Sequence, residues 1–242
     1  MASDAKTIGF AAVVCLACSL SLSAIYSTLK PKQDLNKAID LKVKVLQSFG
    51  LPVVKDGKRV MSIDQVQLIF TERIEGHVLN SDGELIADMT VSDLTPEQIN
   101  DRDRETGLKA YYPYYEYTDP ESGEHLYAIH VSGMGLWSVI KGYIALETDM
   151  ATIAGVAIYD HAETPGLGGE IDKDWFQAQF EGKQLVEDGA VQYFRVLKPS
   201  ETADASSVHG PSGSTMTSKG MTDFINKDFA IYHEYFSKQK GA

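Results

Sequence analysis

The stretch Thr7–Leu29, TIGFAAVVCLACSLSLSAIYSTL, runs 23 residues without a charge. At about 1.5 Å of rise per residue, a helix of that length crosses a hydrocarbon core of about 30 Å with some tilt. Tyr26 sits where an interfacial aromatic belongs, and Lys30-Pro31-Lys32 ends the apolar span. A cleaved secretory signal would have a more basic start and a shorter apolar core. Ser21-Leu22-Ser23-Ala24 is a passable cleavage site, yet a retained anchor over residues 1–30 is the better reading. Cys15 and Cys18, the two cysteines of the chain, both fall in this segment. They read as packed, inert thiols, which leaves the body without a disulfide or a thiolate metal site.

The formal net charge of −12 is uneven: residues 1–37 carry +2, so the rest carries −14. An acidic body repels phosphate backbones, which argues against nucleic-acid partners. Lysines cluster on the C-terminal flank of the anchor, and a strict positive-inside count would keep the body in the cytoplasm.

After the anchor, Leu35, Ile39, Val43 and Leu46 recur at helical spacing up to a glycine stop at Gly50. Ser62 and Gln65 form a capping-box pattern for a second short helix. Two hairpins are expected, through Ser81-Asp82-Gly83 and around Asp119–Gly123, followed by two adjacent strands split by Glu147–Asp149. Trp175 onward begins a helix, and VQYFRVLK returns to strand. From Ser218, a final helix places Met221, Phe224, Ile225, Phe229, Tyr232 and Phe236 on or near one face. The polar stretch Thr95–Thr106 is a candidate break. The expected class is α+β: a single N-terminal transmembrane helix, then a soluble mixed α/β domain with antiparallel sheet.

No GxSxG elbow, P-loop or GxGxxG is present, and the six histidines lack HxxxH spacing. Ordinary hydrolase and nucleotide-binding chemistry therefore finds no support. Two glycine-rich stretches stand out. HAETPGLGGEI, His161–Ile171, suits either a tight turn or the close approach of a flat or phosphorylated ligand. GPSGSTMTSKG, Gly210–Gly220, places five hydroxyls in the seven residues Ser212–Ser218 before a helix. It suits either a phosphate at the helix N-terminus or simple capping by Thr217 or Ser218.

The segment Gly135–Asp172 resembles the corresponding stretch of the C subunit of the Na⁺-translocating NADH:quinone reductase. Ser212–Ser218, SGSTMTS, resembles that family's Ser/Thr-Gly-Ala-Thr flavinylation motif. The likeness is strongest over residues 130–230 and fades over 50–125. It implies FMN joined through its phosphate to Thr215, by a flavin transferase that uses FAD and a divalent metal. Ser212, Gly213, Ser214 and Thr217 would form the attachment turn. The isoalloxazine ring would lie near Glu163, Thr164, Gly166, Leu167 and Gly168. No catalytic or metal-ligating residue is implied. Ser214 departs from the usual alanine and adds a second candidate hydroxyl, and His209 stands where an acidic residue is common.

The resemblance further implies an electron-relay subunit of a larger membrane complex that oxidises NADH, reduces ubiquinone and moves Na⁺. Its single pass would lie in the bacterial inner membrane, in contact with lipid. Its body would be periplasmic, against the lysine count. The corresponding division is an anchor (1–30), the first part of the soluble domain (31–130) and an FMN-binding part (131–242). Rival readings are an Rnf-type subunit, a stand-alone membrane flavoprotein and a cofactor-free membrane-anchored interaction protein.

Overall fold

The computed structural model describes residues 2–55 and 58–240. The chain divides into two compact units, residues 1–41 and 42–242. The first unit is helical, the start of α1 (Ala2–Ser48), and residues 6–38 are exposed along it. Among the described residues, this is the helix long and apolar enough to cross a membrane. The apolar run ends at Lys30 as expected, but the helix does not. Pro31 removes one N–H from the ladder, and strong helix formers on either side carry α1 through it.

The last turns of α1, from Lys42, belong to the second unit, where Val43, Val45, Leu46 and Phe49 are buried. The glycine stop is real: Gly50 has φ of +76°, and the Leu51 N–H bonds back to the Leu46 carbonyl at 3.1 Å. Helix α2 (Ile63–Arg73) starts with the capping box. The Ser62 hydroxyl accepts from the Gln65 N–H at 3.2 Å, and Gln65 Oε1 accepts from the Ser62 N–H at 2.8 Å.

The core is a five-stranded antiparallel meander: β1 (Ile74–Asn80), β2 (Tyr111–Thr118), β3 (His125–Met134), β4 (Val139–Leu146) and β5 (Ile153–Asp160). Its register places Tyr114, Ile129, Ile144 and Val156 in one row across four strands, and all four are buried. The β2–β3 hairpin turns where Asp119 Oδ1 accepts the Glu121 and Ser122 N–H groups, both at 2.8 Å, before Gly123 at φ +73°. The first expected hairpin is only half formed. Its turn closes on Asn80, but the returning arm contributes a single bridge, Leu79 to Leu85. β1 instead pairs along its whole length with the tyrosine-rich β2. That partner offers seven positions of ladder where the short arm offers one.

Helix α3 (Thr215–Lys240) covers one face of the sheet. Met221, Phe224, Ile225, Phe229, Tyr232 and Phe236 are all buried, each contributing about 1.5–3 kcal/mol of burial. Glycines let the helix approach closely: a Cβ on Gly133 of β3 would lie 2.8 Å from Phe224 Cδ1, and Gly220 of α3 packs directly on the backbone of Met134. The Asp228 carboxylate, fully buried, accepts from Lys109 Nζ at 2.6 Å, Arg102 Nη2 at 2.7 Å and the Ser132 N–H at 3.0 Å. These bonds hold the polar stretch Thr95–Thr106, a candidate break, against β3 and α3.

Between β5 and α3 the chain is less regular than the sequence suggests. The helix at Trp175 is one turn, Asp174–Gln177, tightening to a 3₁₀ turn at Ala178–Phe180. The expected strand narrows to Arg195–Leu197, paired in parallel with Ser207–His209. This ribbon delivers the chain to Gly210.

Candidate functional site

The two glycine-rich stretches meet. The first reverses direction at Thr164-Pro165-Gly166-Leu167, where the Leu167 N–H bonds to the Thr164 carbonyl at 3.1 Å and Gly166 has φ of +76°. Proline at the second position and a positive-φ glycine at the third are what this turn requires. Gly168 serves the other purpose. A Cβ there would lie 2.6 Å from Thr217 Oγ1 and 2.9 Å from Glu163 Oε2, so only glycine lets the loop rest on the start of α3. The tight turn read from the sequence is present at Gly166, and Gly168 makes room for the chain's own Thr217 and Glu163.

The second stretch turns at Gly213, φ +74°, and enters α3 at Thr215, three residues earlier than the sequence suggests. Ser214 occupies the cap position: its carbonyl accepts the first helical bond, from the Ser218 N–H at 2.9 Å. Its hydroxyl is buried and donates to the Pro211 carbonyl at 2.6 Å. Thr217 and Ser218, either of which the sequence allows as a cap, lie inside the helix instead. Thr217 is buried and donates to Glu163 Oε2 at 2.7 Å. Ser218 is buried against Gly210. Of the five hydroxyls, those of Ser212 and Thr215 belong to exposed residues. The N–H groups of Thr215, Met216 and Thr217 precede the first helical bond, at the positive end of a 26-residue helix.

Glu163 is the hub. Its carboxylate, 5% exposed, accepts from the backbone N–H groups of Trp137 (2.9 Å), Ser138 (3.2 Å) and Leu136 (3.3 Å) as well as from Thr217. Burial pushes its carboxyl up, but the Thr217 hydroxyl and the three N–H donors outweigh this and hold it below the usual value. The β3–β4 connection, Gly135–Ser138, is thereby fastened to both glycine-rich stretches. Gly135 is required there, because a Cβ would lie 2.7 Å from Glu163 Oε1.

Around these polar bonds, exposed apolar side chains collect: Trp137 at 67% exposed, with Leu136, Leu167 and Met216. Leu167 lies over the turn, its Cδ2 3.1 Å from where a Gly213 Cβ would be. All ten residues proposed from sequence lie on these two neighbouring stretches. Leu136, Trp137, Ser138 and Met216 were not among them. The available signal was a tryptophan in a tight connection between two strands, where a core role is excluded.

Residues 135–229 match the FMN-binding domain family. Over most of the chain, the C subunit of the Na⁺-translocating NADH-quinone reductase from Pseudomonas aeruginosa is 32% identical, covering 93% of this chain and 90% of the relative. Its counterpart from Neisseria meningitidis serogroup B is 32% identical over 95% and 92%. The chain belongs to this C-subunit family. A crystal structure of the family member from Parabacteroides distasonis superposes with a TM-score of 0.69 at 26% identity, covering 86% of this chain and 97% of the other. The α+β architecture of the chain is therefore that of its solved relative. The segment matched as FMN-binding begins at Gly135, the residue that makes room for Glu163.

Proposed function

We propose that this member of the family bears FMN on Thr215, as a phosphoester, and relays electrons within a membrane-anchored NADH-quinone reductase. The observation that carries the reading is the sorting of hydroxyls at the start of α3. Ser214 Oγ is buried and committed to a carbonyl, and Thr217 Oγ1 is committed to a carboxylate, while Thr215 stands exposed at the first helical position. Attachment from FAD would form a bond between Thr215 Oγ1 and the FMN phosphorus, release AMP, and pass the hydroxyl proton to a base on the transferase. The departure at position 214 therefore adds a hydroxyl without adding an acceptor.

The residues present fit the group. The ester phosphate would face the unpaired first-turn N–H groups, a placement that stabilises an anion by about 0.3–1 kcal/mol at an exposed helix end. Leu167, Met216 and Trp137 offer an apolar surface to a flat ring beside the Thr164–Gly168 turn. Bound FMN would supply the one- and two-electron redox chemistry, and the protein would hold and orient it. Glu163, Gly166 and Gly168 would shape the turn that lies beside bound FMN.

The exposed apolar length of α1 supports a single-pass anchor in the bacterial inner membrane, with residues 1–30 as the anchor and 131–242 as the flavin-carrying part. Following the family, the body is periplasmic, and its partners are the other subunits and, during maturation, a flavin transferase.

The test is intact mass with peptide mapping of the chain co-produced with the transferase, alongside Thr215→Val. One FMN adduct on Thr215, absent from the variant, is expected. An adduct that persists on Ser212 or Ser214 would overturn the assignment. No adduct beside an active transferase would leave a cofactor-free interaction protein.

A further inference from the structure

We infer that Glu163 is a positioning residue that fixes Trp137 to the attachment turn, and that it does so without touching the flavin. This rests on the reading that FMN is carried on Thr215. A carboxylate offers about four lone-pair sites. Here all four are taken by the protein: Trp137 and Ser138 donate to Oε1, and Leu136 and Thr217 donate to Oε2. With its carboxylate thus engaged and the residue as a whole 5% exposed, Glu163 has no lone pair left for a ligand. What it does is join two segments far apart in sequence. Its two oxygens together hold three consecutive N–H groups of the β3–β4 connection, and Oε2 takes the second segment as well. That segment is held at Thr217, two residues beyond Thr215.

The neighbourhood is built around this junction. Gly135 and Gly168 each lack a Cβ where one would strike the carboxylate, at 2.7 Å from Oε1 and 2.9 Å from Oε2. The Ser138 hydroxyl adds a parallel tie, accepting the Ala162 N–H at 2.6 Å. Trp137 is two-thirds exposed, so its backbone bond to Glu163 at 2.9 Å fixes the Cα from which the indole projects. An indole held in contact with a flavin quenches its emission and biases its potential. With FMN on Thr215, Glu163 would therefore tune the cofactor through Trp137.

Glu163→Gln is the informative change, since an amide NH₂ must then face at least one of four donors. The chain has two tryptophans, so a Trp175→Phe background isolates Trp137. In the full chain produced without transferase, Trp137 fluorescence anisotropy is expected to fall in Glu163→Gln. It should fall less in Thr217→Val and hold at the parent value in Thr217→Ser. In the flavinylated chain, the emission of Glu163→Gln, read per bound flavin, is expected to move toward that of Trp137→Leu.

Parent anisotropy in a folded Glu163→Gln would overturn the inference. Should that variant not fold, Thr217→Val indistinguishable from Thr217→Ser would overturn it instead. Parent-like flavin emission in Glu163→Gln would also overturn it. A parent chain without any adduct would sink the FMN reading alone, and the anisotropy arm would still decide whether Glu163 clamps Trp137.

Discussion

Gly220→Ala sets two effects against each other, and the structure says which wins. Gly220 lies in the first two turns of α3, where alanine is intrinsically better than glycine by about 1 kcal/mol. Against that, the new Cβ would run into the Met134 carbonyl oxygen, with Gly135 Cα 3.1 Å and the Met134 carbonyl carbon 3.2 Å away. These are backbone atoms, and no rotamer removes them. The start of α3 must withdraw by roughly 1 Å to recover an ordinary contact of about 3.5–4 Å. Thr217, on the same turn, would go with it, taking its 2.7 Å bond to Glu163 past hydrogen-bonding range. Overpacking costs about 1–3 kcal/mol and losing a hydrogen bond to a charged group about 1.5–3 kcal/mol. After the propensity gain, a net destabilisation of roughly 2–4 kcal/mol is expected. Urea unfolding of the full chain in detergent, followed by circular dichroism, should show a lower midpoint at unchanged m. A variant as stable as the parent, or about 1 kcal/mol more stable as propensity alone predicts, would refute the claim that close approach governs this end of the helix.

Asp228→Ala leaves Lys109 buried without its partner and should cost about 3–5 kcal/mol in the same assay. Lys109 itself carries a pH signature. Burial lowers it from 10.5 to about 8, with Asp228 opposing and Arg102 assisting. Between those values the unfolded chain binds the proton more readily than the folded one, so stability from this group rises with pH through that window. The stability difference between parent and Lys109→Met, measured from pH 8 to 10, should therefore grow in the parent's favour, and a flat difference would contradict it. Ser214→Ala should leave the FMN adduct on Thr215 at parent yield by peptide mapping, because the Ser214 hydroxyl faces Pro211. Ser62→Ala should cost about 1 kcal/mol through the lost cap, read as a lower denaturant midpoint.

Features that depend on neighbours in sequence are legible without the structure. The capping box at Ser62–Gln65, the Asp119–Gly123 turn and the buried face from Met221 to Phe236 are each specified within a few residues. Both glycine-rich stretches can be picked out by composition and by family likeness. What cannot be read is distance in space. Nothing near Glu163 in the sequence announces that it bonds to Thr217 and to the Trp137 connection. Gly168 looks like one more turn glycine until Thr217 is seen above it. The misplaced start of α3 has the same origin. Thr217 and Ser218 are the hydroxyls nearest the apolar pattern and so read as candidate caps, whereas Ser214 caps a turn earlier because Gly213 supplies the positive φ. Likewise the end of the apolar run at Lys30-Pro31-Lys32 is not the end of the helix, because helix formers flank Pro31 on both sides.

The boundary at Gly135 has a practical meaning for anyone who wishes to transplant the proposed flavin attachment into another protein. The recognisable segment, 135–229, opens in the connection after β3 and closes inside α3. Cut there, it would surrender three of the five strands, Gly133 beneath Phe224, and the Tyr232 hydroxyl that spans the Pro113 and His130 carbonyls at 2.7 and 3.1 Å. Thr215, the proposed acceptor, would travel, but the helix that presents it would have no floor. A portable tag must begin no later than β1 and run to the end of α3.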